Sequence, residues 1–180
     1  MEKILSRCEI NEELRSFFRN RKNNKDDINI FIFLNDDERI DDIIIGDLIG
    51  EGQTRKCHNI VNNEYLIIKN DKNNENNACY REFLFWCLIK DTKYARFFVP
   101  CVAISSDGKS LLMKKAITKF NINLYLDDFN YMRTLYPSSI STYNCGIYNT
   151  SIARFDYVTS PNNIDKWYNK ILKKFNEIYI

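Results

Sequence analysis

A lysine that closes a short apolar run is the first residue in this sequence whose chemistry calls for a partner. Lys69 follows Tyr65-Leu66-Ile67-Ile68, and a lysine in such a strand stays buried only when an anion pairs with it. Just upstream lie Gly46, Gly50 and Gly52, three of the five glycines in the chain. Glycines suit a loop that covers phosphate, because a Cβ would collide with the anion and because backbone N–H groups have to point at it. The stretch from Ile43 to Lys69 therefore outlines a phosphate-covering hairpin followed by a strand that carries a charge inward. A G-x-G pair alone is a short signal; the lysine strengthens it.

A carboxylate for that lysine is available downstream. Ala78 to Lys90 is rich in Phe83, Leu84, Phe85, Trp86, Leu88 and Ile89 and reads as a helix, with Arg81-Glu82 in its first half. Glu82 can face Lys69 as a charge-assisted pair that aims the ammonium at a phosphate; the competing reading leaves Glu82 on an exposed face.

The elements that must position these residues follow from patterning. Ile43–Ile49 is one strand, Gly50–Thr54 the turn, and Lys56–Ile60 the start of the return strand. Phe97–Ile104 and Lys109–Met113 form a second hairpin around Ser105-Ser106-Asp107-Gly108, leading into Lys114-Lys115-Ala116. Tyr143–Val158 forms a third, with Asn144 before it and Asp156 at its exit. Before the glycine stretch, Asn11 caps a helix to about Arg21, and Ile28–Leu34 reads as a strand covered on both faces. At the other end, Ser160 and Pro161 open a helix whose apolar stripe runs through Ile164, Trp167, Ile171, Leu172, Phe175 and Ile178.

Hairpin, lysine strand, glutamate helix, second hairpin and connector, in that order, resemble the small lobe of the protein-kinase fold. From about residue 43 to 158 the chain is similar to the compact kinase-like proteins of bacteriophages and other DNA viruses. The resemblance implies an α+β fold with three parts: residues 1–42 as an N-terminal helix and strand extension, 43–116 as a small lobe of antiparallel sheet with one helix, and 117–180 as a much reduced large lobe ending in a helix. It also implies an ATP site made by Gly50, Gly52, Lys69, Glu82 and Met113. Asn144 matches the catalytic-loop asparagine and Asp156 the aspartate of the Asp-Phe-Gly triplet, and both would hold Mg2+, since hard cations take oxygen ligands and phosphoryl charge needs neutralising.

The departures bear on activity. The family's catalytic base lies five residues before the asparagine, where this chain has Ser139, and a serine does not accept a proton near neutral pH as a carboxylate does. Around the third loop glycine stands Arg55, and Val158 takes the place of the glycine after the metal-binding aspartate. Little chain separates Ala116 from Pro137, so the first long helix of the large lobe is expected to be short or absent, and no activation segment is expected after Val158.

Three functions fit these residues: a pseudokinase that clamps a nucleotide and acts through a protein partner, a minimal active Ser/Thr-type protein kinase or other phosphotransferase, and an α+β interaction protein that binds no nucleotide. The first is favoured, because base, loop glycine and docking half are altered together. Nearly balanced charge, 26 basic against 24 acidic residues, argues against nucleic-acid binding. No run approaches the ~18 apolar residues of a membrane span, and six scattered cysteines with one histidine suit a reduced, cytoplasmic protein without a zinc site. Abundant asparagine, isoleucine and lysine reflect codon bias more than low complexity.

Overall fold

The computed structural model describes residues 31–73, 78–135 and 142–157. The two helices expected at about 11–21 and from Ser160 lie outside them, as do Ile28–Ile30 and Ser139. The described chain is α+β, built on a six-stranded antiparallel sheet, a two-stranded sheet and two α-helices.

The large sheet contains β1 (Phe31–Phe33), β2 (Ile45–Glu51), β3 (Arg55–Ile60), β4 (Asn63–Asp71), β5 (Cys101–Ser105) and β6 (Ser110–Lys114). Its spatial order is β1-β5-β6-β4-β3-β2. Short turns join β2 to β3, β3 to β4 and β5 to β6, so those pairs are local hairpins. The β4–β6 and β1–β5 pairs close over long stretches of chain. β1 thus extends the sheet on the far side from the glycine hairpin.

Both faces of the sheet are covered at its centre. One face carries Phe33, Ile60, Leu66, Ile68, Val102, Ala103 and Leu112, with Ile40 and Ile43 packed against them. The other carries Ile67, Ile104, Leu111 and Met113, and on it lies α1 (Ala78–Ile89), which buries Cys79, Phe83, Phe85, Trp86 and Ile89. Burying a Phe or Ile side chain of this kind contributes about 1.5–3 kcal/mol relative to exposure, so the helix is anchored by its apolar residues alone. Its first turn is fixed from the sheet: the Asp71 carboxylate, at the end of β4, accepts the Cys79 N–H at 3.1 Å, which satisfies one of the free donors at a helix start.

The rest of the described chain is smaller. The 3-10 turn Asp36–Glu38 is pinned to the sheet by Glu38, whose carboxylate lies 2.6 Å from Lys114 Nζ, so the acidic connection has a structural partner. After β6 comes α2 (Leu126–Leu135), ten residues long, which sends Phe129 and Met132 into the core shared with α1. The hairpin of β7 (Cys145–Tyr148) and β8 (Ser151–Arg154) follows.

Gly146 sets how closely β7 approaches the connector after β6. A Cβ there would meet Ala116 Cβ and the Ile117 carbonyl oxygen, each at 2.9 Å, and the gap is closed by a pair of backbone bonds between Ile117 and Ile147, at 3.0 and 2.8 Å.

Candidate functional site

Strand alternation determines which side chains share a face. In the β3–β4 pair, Arg55 lies opposite Asp71 and Cys57 opposite Lys69. Successive side chains point to opposite faces, so Arg55, Cys57 and Asn59 share one face with Ile67, Lys69 and Asp71. That is the face on which α1 packs, and the first half of α1 brings Glu82 to it.

Lys69 and Glu82 form a buried ion pair. The ammonium donates to both carboxylate oxygens, at 3.0 and 3.2 Å, and Glu82 is fully shielded from solvent. The pair is joined to the segment after β8 at two points: Lys69 Nζ donates to the Phe155 carbonyl oxygen, and the Tyr157 N–H donates to Glu82 Oε1 at 3.1 Å. A further charge completes the group. Arg55 reaches from the start of β3 with its guanidinium forked between two carboxylates, one nitrogen on Glu82 and the other on Asp156. Burial by itself would pull the arginine's pKa down; Glu82 and then Asp156 outweigh it and hold the pKa above its ordinary value. Two cations and two carboxylates therefore stand together with their charges balanced.

Asp156 is held in place by its neighbours. Its backbone carbonyl oxygen accepts Arg154 Nε at 2.6 Å, while the next residue, Tyr157, is buried under α1. The Tyr157 ring stands 5.1 Å from that of Phe98 and 5.4 Å from that of Phe85, and its hydroxyl donates to the Val99 carbonyl oxygen at 3.1 Å. With the aromatic side chain turned inward, the carboxylate of Asp156 turns outward and is 45% exposed.

These groups line a cleft of about 1150 Å³ between the β2–β3 hairpin and the β7–β8 hairpin. Gly50 and Gly52 lie along the hairpin side, Lys69 at the back, and Asn144 and Asp156 opposite. Glu82 lies behind Lys69, out of the lining. Asn144 also tethers the segment through its backbone, accepting the Phe155 N–H at 3.0 Å. Met113 departs from the expectation that it would contact a cofactor. It is fully buried, lies opposite Ile67 and Cys101 in the sheet, and packs in the core under α1 instead of lining the cleft.

The lining is cationic. Arg55, Lys56, Lys69, Arg81 and Lys115 line it against the carboxylates of Glu51 and Asp156. Glu51 is itself occupied by Lys72, 2.5 Å away, a contact that lowers the carboxyl's pKa. Arg81 Nε, on α1, is buried with no hydrogen-bond partner among the described residues. Apolar surface comes from Ile49, Ile67, Ala116, Phe120 and Ile122, so the lining combines apolar and charged residues.

The arginine is the residue whose role sequence reasoning misses. A return strand beginning at Lys56 leaves Arg55 in the turn; the strand begins one residue earlier, and parity then sends its side chain inward. The two loop glycines differ from Gly46 and Gly146 in what surrounds them. A Cβ at Gly50 or Gly52 would find nothing nearer than 4.0 Å, and neither backbone is in the left-handed region.

No protein-family model matches the chain, and no curated protein sequence matches it. Among the described residues no group of three or more histidine, cysteine or acidic side chains could hold a metal ion, and no helix is long and apolar enough to cross a membrane.

Proposed function

We propose that this chain is a kinase-like protein of the pseudokinase kind, which clamps a nucleotide such as ATP in the cleft between its two hairpins and acts through a protein partner. The observation that carries the reading is the Lys69–Glu82 pair, buried behind a glycine-bearing hairpin and joined through Arg55 to Asp156 in the lining of the cleft. Burying two charges has a large desolvation cost that an apolar pair would avoid. An ammonium fixed by a carboxylate at the back of an otherwise cationic cleft suits the phosphates of a nucleotide.

Three further features support the reading. Gly50 and Gly52 are demanded neither by backbone conformation nor by neighbouring atoms, which leaves the approach of a ligand to the hairpin as their physical rationale. The apolar residues of the lining suit a base, and its cations suit phosphates. The inward-turned Tyr157 beside an outward-turned Asp156 matches the arrangement in which the aspartate of a kinase faces its nucleotide. Action through a partner accords with an α2 of only ten residues, which leaves little platform for a peptide substrate among the described residues.

The test is thermal. A ligand at about 100 times its Kd stabilises by about 2.7 kcal/mol, which for a chain of this size raises Tm by about 5–11 °C. ATP at millimolar concentration should produce such a shift in the parent protein, and Lys69→Met should abolish it. A parent protein whose Tm does not respond to any nucleoside triphosphate refutes the reading.

A further inference from the structure

The cleft lacks what a resident divalent cation needs. The carboxylates in its lining are those of Asp156 and Glu51, and Glu51 is taken by Lys72. Asp156 is taken by Arg55, whose guanidinium is itself buried between the two carboxylates. A dication on Asp156 would stand beside that guanidinium, and like charges so close in a partly buried site repel strongly. Asn144 and Asp156 as they are arranged do not fit the metal their sequence positions suggest.

We infer that the Arg55 guanidinium replaces the divalent cation of this cleft, so that the site takes a nucleoside triphosphate as the free polyphosphate anion, without metal. The inference rests on the proposed nucleotide reading and specifies its chemistry. A magnesium ion in such a site neutralises phosphate charge and bridges it to a carboxylate. A guanidinium paired with the same carboxylate neutralises it in the metal's place and keeps N–H donors beyond the two that Glu82 and Asp156 take, while the surplus positive charge of the cleft comes from Lys56, Arg81 and Lys115. The neighbouring cations enlarge this field: Lys69 is fixed by Glu82, while Arg81 has a buried donor without a partner among the described residues. The anion's charge is thus met by side chains from β3, β4 and α1, all part of the folded frame.

The location of Arg55 also explains why the substitution matters. It lies where the kinase pattern has a third loop glycine, and a glycine there would leave Asp156 free to take a metal. Restoring that glycine therefore converts one mode of neutralisation into the other.

The experiment is a pair of ATP titrations of the full chain by calorimetry, one in EDTA and one in excess Mg2+, with each variant's fold checked by far-UV circular dichroism. The parent should bind ATP in EDTA at least as tightly as in Mg2+, to within about threefold. Arg55→Gly should lose at least about tenfold in EDTA and recover it in Mg2+. If Arg55→Gly does not fold, Arg55→Gln serves in its place, and the parent's own EDTA titration decides without any variant. A parent that binds ATP in Mg2+ but loses tenfold or more in EDTA overturns the metal substitution and leaves the nucleotide reading standing. An Arg55 variant that folds and binds unchanged in EDTA also overturns it. No ATP binding by the parent in either buffer overturns both.

Discussion

Replacing Glu82 by glutamine tests the cluster at its centre. The amide side chain keeps the volume and its oxygen can still accept the Tyr157 N–H, but its NH2 then faces the donors of Arg55 and Lys69, so Glu82→Gln removes the charge together with one acceptor. It leaves Lys69 and Arg55, with side chains 6% and 9% exposed, on either side of a neutral group. Removing one partner of a buried ion pair costs about 3–5 kcal/mol, because the remaining charge is neither solvated nor paired. For a chain of 150–250 residues that is a fall in Tm of about 6–20 °C. Urea unfolding followed by tryptophan fluorescence, to which Trp86, buried in the same helix, contributes, reports it. Raising salt to about 1 M should not restore the loss, since ions screen exposed pairs and not those shielded by the fold. A second substitution separates charge from packing: Glu82→Leu combined with Lys69→Met and Arg55→Met should recover much of the lost stability, since apolar residues of similar volume replace buried charges at little or no cost. The reasoning is refuted if Glu82→Gln costs less than about 1 kcal/mol, the level of a solvent-exposed pair.

Two further outcomes follow from the fold. Gly146→Val should destabilise by at least about 1–3 kcal/mol in the same unfolding assay, because its side chain meets backbone and a Cβ that cannot move aside. Stability should also decline as pH rises above about 8.5, the ordinary thiol value. Burial pushes Cys145 up to about 11 and Cys87 up to about 12, and raises Cys79 and Cys101 as well. The unfolded chain then ionises first and the folded chain holds more protons, so unfolding free energy falls through the window from the ordinary value to these raised ones. Urea midpoints measured from pH 8 to pH 10.5 check the slope, and a flat profile refutes the burial of those thiols.

Much of the sheet was legible because its signals are local. Alternation and turn residues place β2 to β4 and the β5–β6 hairpin within a few residues, and the large apolar residues of α1 mark it as a helix. Non-local pairing carries no such signature. Nothing in Ile43–Asp71 says that β6 lies against β4, or that Phe31–Phe33 pairs with Cys101–Ser105 at the far edge. The same division runs through the cleft. Lys69 and Glu82 could be linked in advance because a lysine in an apolar strand requires an anion. Met113 could not be excluded from the lining, since its burial depends on α1 covering that face. Arg55 was hidden by one residue of uncertainty in a strand start: read as a turn residue it has no assigned face, whereas as the first residue of β3 it shares the inward face of Cys57 and Asn59.

The inward placement of Arg55 changes how the hairpin behaves. A glycine at position 55 would let the β2–β3 turn lift away from the cleft with no charge to separate. With arginine there, lifting β3 from Asp156 and Glu82 exposes two carboxylates and a guanidinium that the closed arrangement has already paired, and a hydrogen bond from Gly52 N–H to the Arg55 carbonyl oxygen, at 2.9 Å, ties the turn to the same residue. The glycines at 50 and 52 remain free to accommodate a ligand, while the base of their loop is fixed to the opposite wall. Holding an anion and releasing it quickly are different demands on such a loop. A tethered base favours the first, and repeated phosphoryl transfer requires the second. Arg55 therefore weighs toward a clamp by the same contacts that supply its positive charge.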